Sequence, residues 1–561
     1  MHSHEDGCTR RGFWRAGLTG GLAAALGASR GATAEAGPDA RDRLRLKPQA
    51  DGRGPGGRAG MLAYSDGSWG AGRGLNLHTG SAWQRLNPAD VTAYGAKGDG
   101  ETDDTRAFDR AFAAENAVHV PAGRYVVGPA RTDDARPTGE AGMIEVPSGK
   151  ALILHPGAVL LNGAGKGQYS DPDGRKVDLH LLYVSGHGSA VFGNGATVDD
   201  RELPGGRHGR HAGGVVLAGD ASECLITDLR VINVGPGRDN AFRVSGRRNV
   251  LSRCFAQRRT YAHLFQVVSA GQPCRDCVVE ACVADGGWDE YESGQKPDFG
   301  RKIGSQDGFR TYGNVHRARF AGCTAYRCRA GFQLWGTHSH GSVIDGCSAY
   351  RNFWFGIADL SYEQGGAISG CTAEHNVSYG LYVRSDGATV SGVHLHRNYT
   401  REFDFSSPPP HLDEAGVSMS EETPVEFFLS GNRCCITGVT HGVQVGSHAC
   451  SVITGDENQV FGLRMRGGGD QRPRIYGKNN VIVSHQRPWL MSSEGESGTV
   501  HLDAAEGVWK LRIRSAAPEM TEETNSAGQM AVADGEDWDP ADRGEGPYPV
   551  FWDGSGWKAM Y

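Results

Sequence analysis

A repeat of 22 to 24 residues runs through the middle of the chain. The segments GCTAYRC, GCSAYRN, GCTAEHN and GVHLHRN place Cys323, Cys347, Cys371 and Val393 at intervals of 24, 24 and 22 residues. Such a period, combined with short apolar strands, predicts a solenoid in which each coil stacks on the one before. Because buried cysteine behaves as a small apolar residue and valine replaces it in the fourth coil, we predict an interior ladder here, with neither disulfides nor metal ligands.

A second ladder follows five residues after each of these positions. Its members are Cys328, Asn352, Asn376 and Asn398. Asparagine tolerates left-handed turn geometry, and its side chain bonds readily to nearby backbone. We therefore expect an asparagine ladder at a turn of the solenoid.

One strand from each coil can be aligned into a column. The strands read NAFRV, HLFQV, DGFRT, AGFQL, FGIAD, YGLYV and HGVQV, and they begin at Asn240, His263, Asp307, Ala330, Phe355, Tyr379 and His441. Because side chains alternate between the two faces of a strand, the third residue of each segment is predicted to point inward: Phe242, Phe265, Phe309, Phe332, Ile357, Leu381 and Val443. The next residue of each strand then points outward: Arg243, Gln266, Arg310, Gln333, Ala358, Tyr382 and Gln444. The first four of these are predicted to form a polar, cationic stripe.

The segment Tyr94 to Thr105, YGAKGDGETDDT, precedes an amphipathic stretch with Phe108, Ala111 and Phe112 on one face and then AVHVPAGRYVV. This order of turn, helix and two short strands resembles the start of pectate lyase superfamily proteins. The resemblance extends over residues 88–514. It implies an all-β fold, a right-handed parallel β-helix whose first coil is capped by an N-terminal helix.

The two ends of the chain predict further segments. Residues 1–34 carry the twin-arginine pattern TRRGFWR, an apolar stretch and the triplet ATA, which predicts a signal for twin-arginine export to the periplasm or the outside of the cell. Residues 35–58 form a predicted disordered linker. Residues 59–87 and 515–561 each resemble the small tryptophan-bearing β modules of phage tail-fibre proteins, and this resemblance implies a homotrimer.

Composition limits the partners. The net charge of −7 offers no electrostatic footprint for nucleic acid, and no stretch is long and apolar enough to span a membrane. The fold that the resemblance implies points to a polysaccharide as substrate or ligand. An acidic polysaccharide would have to be held by a local basic groove.

Candidate site residues cluster where the strands of three coils begin. Asp239, Asn240, His263 and Asp307 lie at these starts, where the family resemblance places catalytic groups. An insertion, GWDEYESGQKPDFGRKIGSQ, precedes Asp307 and is expected to overhang the stripe. It adds Trp288 and Lys296, which with Asn240, Gln266, Gln333 and Trp335 are the predicted substrate-binding residues. It also adds the carboxylates of Asp289, Glu290 and Glu292, which are candidate calcium ligands.

Two reactions fit these residues. In β-elimination from a uronic-acid polymer, His263 is the candidate base, while Arg243 and Arg310 hold the carboxylate. In inverting hydrolysis, Asp239 and Asp307 would flank the bond, about 10 Å apart by strand spacing. Relatives that share the DGF motif carry paired aspartates one coil later, where this chain has Arg329-Ala330. The residues leave a lyase, a hydrolase and a non-catalytic glycan-binding protein open.

Overall fold

The computed structural model describes part of the chain. The described residues are 62–66, 73–78, 83–85, 88–128, 140–163, 168–170, 176–200, 213–234, 240–258, 263–287, 307–336, 338–352, 354–361, 364–376, 379–398, 425–441, 450–465, 474–484, 490–491, 500–503, 513–514, 530–533, 548–552 and 557–559. The predicted export signal and linker, residues 1–58, lie outside this part of the chain.

Three ladders of parallel strands wind through residues 88–503. The site sheet has 14 strands. In chain order they are Glu140–Val146, Gln168–Ser170, Lys176–Val184, Gly213–Leu217, Asn240–Val244, His263–Val268, Phe309–Tyr312, Phe332–Gly336, Ile357–Ser361, Leu381–Val383, Val425–Leu429, Cys450–Ile453, Arg474–Ile475 and Leu490–Met491. Within this sheet the Gln168–Ser170 strand pairs antiparallel with its neighbour, and the other pairs are parallel.

The other two ladders form one sheet of 27 strands. The first flank ladder comprises Ala89–Asp90, Ala117–Val120, Ala151–Leu154, Ala190–Phe192, Leu225–Thr227, Val250–Ser252, Val278–Glu280, Arg319–Ala321, Val343–Asp345, Ala367–Ser369, Thr389–Ser391, Cys435–Thr437, Gln459–Met465, Val481–Ser484 and Val500–Asp503. The second comprises Asp99–Asp103, Gly123–Val127, Ala158–Asn162, Thr197–Asp199, Arg230–Val234, Phe255–Arg258, Val283–Asp285, Thr324–Tyr326, Ser348–Tyr350, Thr372–Glu374, His394–His396 and Thr440–His441. The Gln459–Met465 strand pairs with both ladders and joins them.

The first coil is covered by the predicted helix, which spans Thr105–Ala114 and follows a short 3-10 helix at Val91–Tyr94. Phe108, Ala111 and Phe112 are buried, so the predicted apolar face is confirmed. The preceding aspartates hold the turn: Asp103 Oδ1 accepts from the Thr105 N–H at 2.9 Å, and Asp104 Oδ1 accepts from the Lys97 N–H at 2.7 Å. These carboxylates therefore organise the cap, as acceptors of otherwise unpaired amides.

Aromatic and thiol side chains stack along the interior. The rings of Phe242, Phe265, Phe309 and Phe332 lie parallel, with successive centroids 5.0, 4.7 and 4.7 Å apart. Cys323, Cys347 and Cys371 are each about 1% exposed, as expected for an interior ladder. Because each coil repeats the same side chain at the same step, each ring or thiol packs on its own kind in the next coil.

The asparagine ladder connects successive coils through side-chain acceptors. The Cys328 N–H donates to Asn352 Oδ1 at 3.0 Å, the Asn352 N–H to Asn376 Oδ1 at 3.1 Å, and the Asn376 N–H to Asn398 Oδ1 at 3.1 Å. The ladder ends at Glu426, whose Oε1 accepts from the Asn398 N–H at 2.9 Å. Each side chain thus satisfies a backbone donor that the turn would otherwise bury unpaired.

The asparagines themselves were expected to adopt the left-handed backbone conformation, but the residue before each ladder member adopts it instead. These preceding residues have φ between +51° and +53°: Arg327, Arg351, His375 and Arg397. Four site-sheet strands are each preceded by a glycine that packs on a member of the ladder: Gly308, Gly331, Gly356 and Gly380. A Cβ on Gly356 would lie 2.6 Å from Asn376 Nδ2, so the close approach excludes any side chain there.

The continuation of the inner column past Leu381 differs from the prediction. Leu381 pairs with Phe427, whereas His441 lies in the second flank ladder, where it pairs with Leu395. The assignment of HGVQV to this column is therefore wrong, and Val443 and Gln444 lie outside the described residues. The sequence pattern failed because the outer face of the later strands is also apolar. Ala330, Phe355, Ala358, Leu360, Tyr379, Tyr382, Phe428 and Val452 form a second buried cluster there.

Three small sheets complete the described strands. Cys274–Arg275 pairs with Val315–His316. Leu62–Asp66, Arg73–His78 and Trp83–Arg85 form an antiparallel sheet within residues 1–87, which make up a separate compact unit. Ile513–Arg514, Met530–Ala533, Tyr548–Trp552 and Trp557–Ala559 form a four-stranded sheet near the C-terminus. The N-terminal sheet and the last three strands of the C-terminal sheet fall in the segments for which terminal β modules are predicted, whereas Ile513–Arg514 precedes the predicted boundary at residue 515.

Candidate active site on the site sheet

The predicted stripe forms one continuous row across the site sheet. Arg243 pairs with Gln266, Gln266 with Arg310, and Arg310 with Gln333. We call these four residues the outer row. All four are buried, with exposed fractions of 8% or less. The row is therefore part of a packed polar site, and solvation of a surface does not account for it.

His263 and Asp307 meet Arg310, which belongs to the outer row. We call these three residues the acid–base cluster. Arg310 Nη1 lies 3.1 Å from His263 Nε2; His263 Nδ1 lies 3.4 Å from Asp307 Oδ2 and accepts from the Asp307 backbone N–H at 3.3 Å. A guanidinium can only donate, so Nε2 is the acceptor there, and a neutral imidazole then carries its proton on Nδ1. This proton faces Asp307 Oδ2 and takes the place of the contact from the Asp307 N–H, because Nδ1 cannot carry a proton and accept one at the same time. This arrangement orients the ring and leaves a basic nitrogen toward Arg310.

The charges around Asp307 fix the protonation states of the cluster. Burial alone would raise the pKa of Asp307, but Arg329, with Nε 3.7 Å from Oδ1, together with His263 and Arg310, lowers that pKa well below its usual range. Burial lowers the pKa of His263. At neutral pH the cluster therefore combines a carboxylate, a neutral imidazole and the charges of Arg310 and Arg329.

A second ion pair lies toward the N-terminal coils. The Arg243 guanidinium contacts the carboxylate of Glu140, and the Tyr183 hydroxyl donates to Glu140 Oε2 at 3.3 Å. The sequence analysis predicted Arg243 but not Glu140. The early coils lack the repeated motif, so no alignment could bring Glu140 to this position.

Aromatic rings flank the cationic side chains. The Arg310 guanidinium lies 4.7 Å from the ring centroid of Tyr312 and 5.0 Å from that of Trp335. Arg329 lies 4.7 Å from the ring centroid of Trp354. Trp335 was predicted as a site residue, whereas Tyr312 and Trp354 were not. The signal for Tyr312 was its place two residues after Arg310, on the same face of the strand.

The remaining predicted site residues divide into two groups. Asn240 is buried and pairs with His263, which brings it next to the acid–base cluster. The others lie outside the described residues: Asp239, Trp288, Asp289, Glu290, Glu292 and Lys296. Within the described ranges, no group of three or more His, Cys, Asp or Glu side chains could hold a metal ion. The only α-helix that the structure describes, Thr105–Ala114, is too short and too polar to cross a membrane.

The ladders and a family match define the class of the protein. Residues 295–455 match a family described as right handed beta helix region. Together with the three parallel ladders, this match confirms the predicted right-handed parallel β-helix. No curated protein sequence matches the chain significantly.

Solved structures with similar folds include enzymes and viral proteins. The A-module of a mannuronan C-5 epimerase of Azotobacter vinelandii is 15% identical over 73% of this chain and 98% of its own, with a TM-score of 0.43. The Dettilon tailspike is 14% identical over 72% of this chain and 68% of its own, with a TM-score of 0.45. The tailspike of E. coli bacteriophage HK620, solved with a pentasaccharide, is 10% identical over 76% of this chain and 83% of its own, with a TM-score of 0.44.

Proposed function

We propose that the protein acts on an acidic polysaccharide and cleaves it by β-elimination at the acid–base cluster. The observation that carries this proposal is the contact of a neutral, oriented imidazole with two cationic side chains, Arg310 directly and Arg329 through Asp307. Elimination next to a carboxylate needs a base, and it needs positive charge where the carbanion-like transition state develops. The cluster supplies both.

The exposed fraction of each side chain indicates which residues can contact the substrate. The side chains of His263, Arg310 and Arg329 are 7%, 9% and 18% exposed, whereas that of Asp307 is fully buried. Arg310 and Arg329 therefore meet the substrate carboxylate, and His263 meets the proton on the carbon beside it. Asp307 stays behind the ring and stabilises the imidazolium that forms.

The proposed elimination combines removal of a proton, formation of a carbon–carbon double bond and cleavage of the glycosidic bond. Arg310 turns from His263 Nε2 to the substrate carboxylate, which frees the imidazole nitrogen. His263 then removes the proton from the carbon beside the carboxylate, and the electron pair forms a carbon–carbon double bond. The glycosidic carbon–oxygen bond breaks on the next carbon, the departing oxygen takes up a proton from water, and the His263 imidazolium returns its proton to the resulting hydroxide.

Hydrolysis fits the cluster less well. An inverting hydrolase needs one protonated carboxylic acid, which it keeps neutral by raising its pKa. The pKa of Asp307 is shifted in the opposite direction, so this residue could only be the base. The predicted partner, Asp239, lies outside the described residues.

One observation favours a second candidate, a glycan-binding protein without catalytic activity. His263 Nε2 already accepts from Arg310, and Asp307 lies between two arginines, so the cluster is a closed network of ion pairs. Such a network can hold a binding surface rigid without any chemistry. The experiment below separates the two candidates.

The test is incubation with a panel of acidic and neutral polysaccharides, in which ultraviolet absorbance of unsaturated products and new reducing ends are followed together. We expect both signals with a uronate polymer, and loss of both in His263→Ala. His394→Ala is the matched control, because this half-buried histidine lies on the second flank ladder. New reducing ends without absorbance, lost in Asp307→Asn, would indicate hydrolysis. Binding without either signal would support the second candidate, and full activity in both site variants would refute this location.

We also propose that the protein is exported by the twin-arginine route and assembles as a homotrimer. These proposals rest on the TRRGFWR motif and on the tail-fibre-like terminal segments. Fractionation of cells that express an Arg10→Lys, Arg11→Lys variant tests the first, because the variant should stay in the cytoplasm. Light scattering of the purified protein tests the second. Calcium binding by the Asp289, Glu290 and Glu292 segment is tested by calorimetry with Ca²⁺ after chelation.

A further inference from the structure

Tyr312 is an exposed ring next to a buried cationic site. It pairs with Val268 at the end of its strand, and Trp335 occupies the same step in the next coil. Its side chain is the most exposed large hydrophobic one that the structure describes, at 47%. The neighbouring Arg310 is only 8% exposed. The ring therefore borders the acid–base cluster on the side that a ligand can reach.

The contacts of Arg310 fix the position of this ring. Its guanidinium lies 4.7 Å from the ring centroid of Tyr312 and 5.0 Å from that of Trp335. A cation within about 6 Å of two aromatic rings is held in place by both. The same contact holds the Tyr312 ring against Arg310. The exposed part of the ring therefore forms a flat surface on which a sugar ring can stack.

Gln333 adds an unsatisfied polar group to the same face. It pairs with Arg310 in the outer row and is fully buried, and neither its Oε1 nor its Nε2 has a hydrogen-bond partner among the described residues. Buried amides are normally paired, so an exception calls for an explanation. Because Gln333 has no exposed surface, this amide is a buried polar neighbour of Arg310 and does not itself meet a ligand.

We propose that Tyr312 and Arg310 form a binding subsite for an acidic sugar. The pyranose ring stacks on Tyr312, and its carboxylate meets Arg310. The identity of the ligand as an acidic glycan rests on the proposed function, but the subsite requires no cleavage. A neutral sugar would leave Arg310 without its anionic partner, so the subsite discriminates by charge.

The test measures binding of oligogalacturonate, oligomannuronate and oligoguluronate by calorimetry, with a neutral cello-oligosaccharide of equal length as comparison. All variants carry His263→Ala, so that turnover does not consume the ligand, and circular dichroism checks their folding. The matched control is Tyr350→Ala, because Tyr350 is 37% exposed and lies on the second flank ladder, stacked on Tyr326.

We expect Tyr312→Ala to weaken binding of at least one oligouronate about tenfold, equivalent to about 1.4 kcal/mol. Tyr312→Phe keeps the ring and should bind like its parent, as should Tyr350→Ala. Gln333→Leu should bind like its parent, with an equal or higher thermal midpoint, since it removes an unsatisfied buried amide that the ligand does not contact. Equal affinity in Tyr312→Ala and its parent, equal losses in both tyrosine variants, or no binding of any oligouronate by the parent would overturn the subsite. Loss of binding in Tyr312→Ala without any cleavage by the native protein would leave the subsite standing and refute only the lyase.

Discussion

Replacing Asn376 with alanine should lower the free energy of unfolding by about 4 kcal/mol, because each buried donor left unpaired costs about 1–3 kcal/mol. Asn376 Oδ1 accepts from the Asn352 backbone N–H at 3.1 Å and from Asn352 Nδ2 at 2.9 Å. Its own Nδ2 donates to Ala349 O at 3.1 Å and to Asn398 Oδ1 at 2.7 Å. The substitution therefore leaves two donors of Asn352 without their acceptor, and the missing side chain leaves a small cavity.

The measurement is urea unfolding followed by circular dichroism and tryptophan fluorescence, with linear extrapolation to water. Thr372→Ala is the control, since Thr372 lies half-buried in the same coil and should change stability by about 0.5 kcal/mol or less. The two probes should give one transition for each variant, because a solenoid can lose coils separately. A loss in Asn376→Ala that does not exceed the control by about 1 kcal/mol would refute the view that the ladder holds the coils together.

Three further predictions concern packing, thiol exposure and pH. Gly356→Ala should lower the thermal midpoint, because its Cβ would lie 2.6 Å from Asn376 Nδ2 and 2.8 Å from Gly380 O, and an unchanged midpoint would contradict this contact. In the native protein, maleimide should label Cys435 before Cys323, Cys347 or Cys371, since Cys435 is exposed and the others are buried; mass spectrometry of the labelled peptides tests this order. Burial lowers the pKa of His263, so its basic form persists at acidic pH and kcat/KM should hold below about pH 6.5. An acid limb above that pH would show that His263 is not the base.

The sequence predicted those parts of the fold that repeat. The ladder positions of Cys323, Cys347 and Asn376 could be predicted because a solenoid places the same side chain in the same environment once per coil. The same alignment brought His263, Asp307 and Arg310 together, although 44 residues separate the first two in the chain. Strand pairing then converts a shared step of the repeat into spatial contact.

Residues outside the repeat could not be predicted in this way. Glu140 reaches Arg243 from a strand 103 residues earlier, in coils that share no motif with the later ones. The column after Leu381 was misassigned because Phe427 and Phe428 are both buried, one on each face of the strand. A strand that is apolar on both faces has no alternation from which to read its register.

A buried network of a serine, a histidine and a glutamate shows why geometry alone does not define an active site. Ser451 Oγ lies 3.0 Å from His441 Nε2, and His441 Nδ1 lies 2.7 Å from Glu426 Oε2, an order of nucleophile, base and carboxylate. All three side chains are 1% exposed or less, and Glu426 also terminates the asparagine ladder at Asn398. A nucleophile that no substrate can reach performs no acyl transfer, so this network is the polar end of a structural ladder. The acid–base cluster differs in accessibility: His263 retains some exposed surface, and Tyr312 beside it is half exposed, so there the same kinds of groups can meet a ligand.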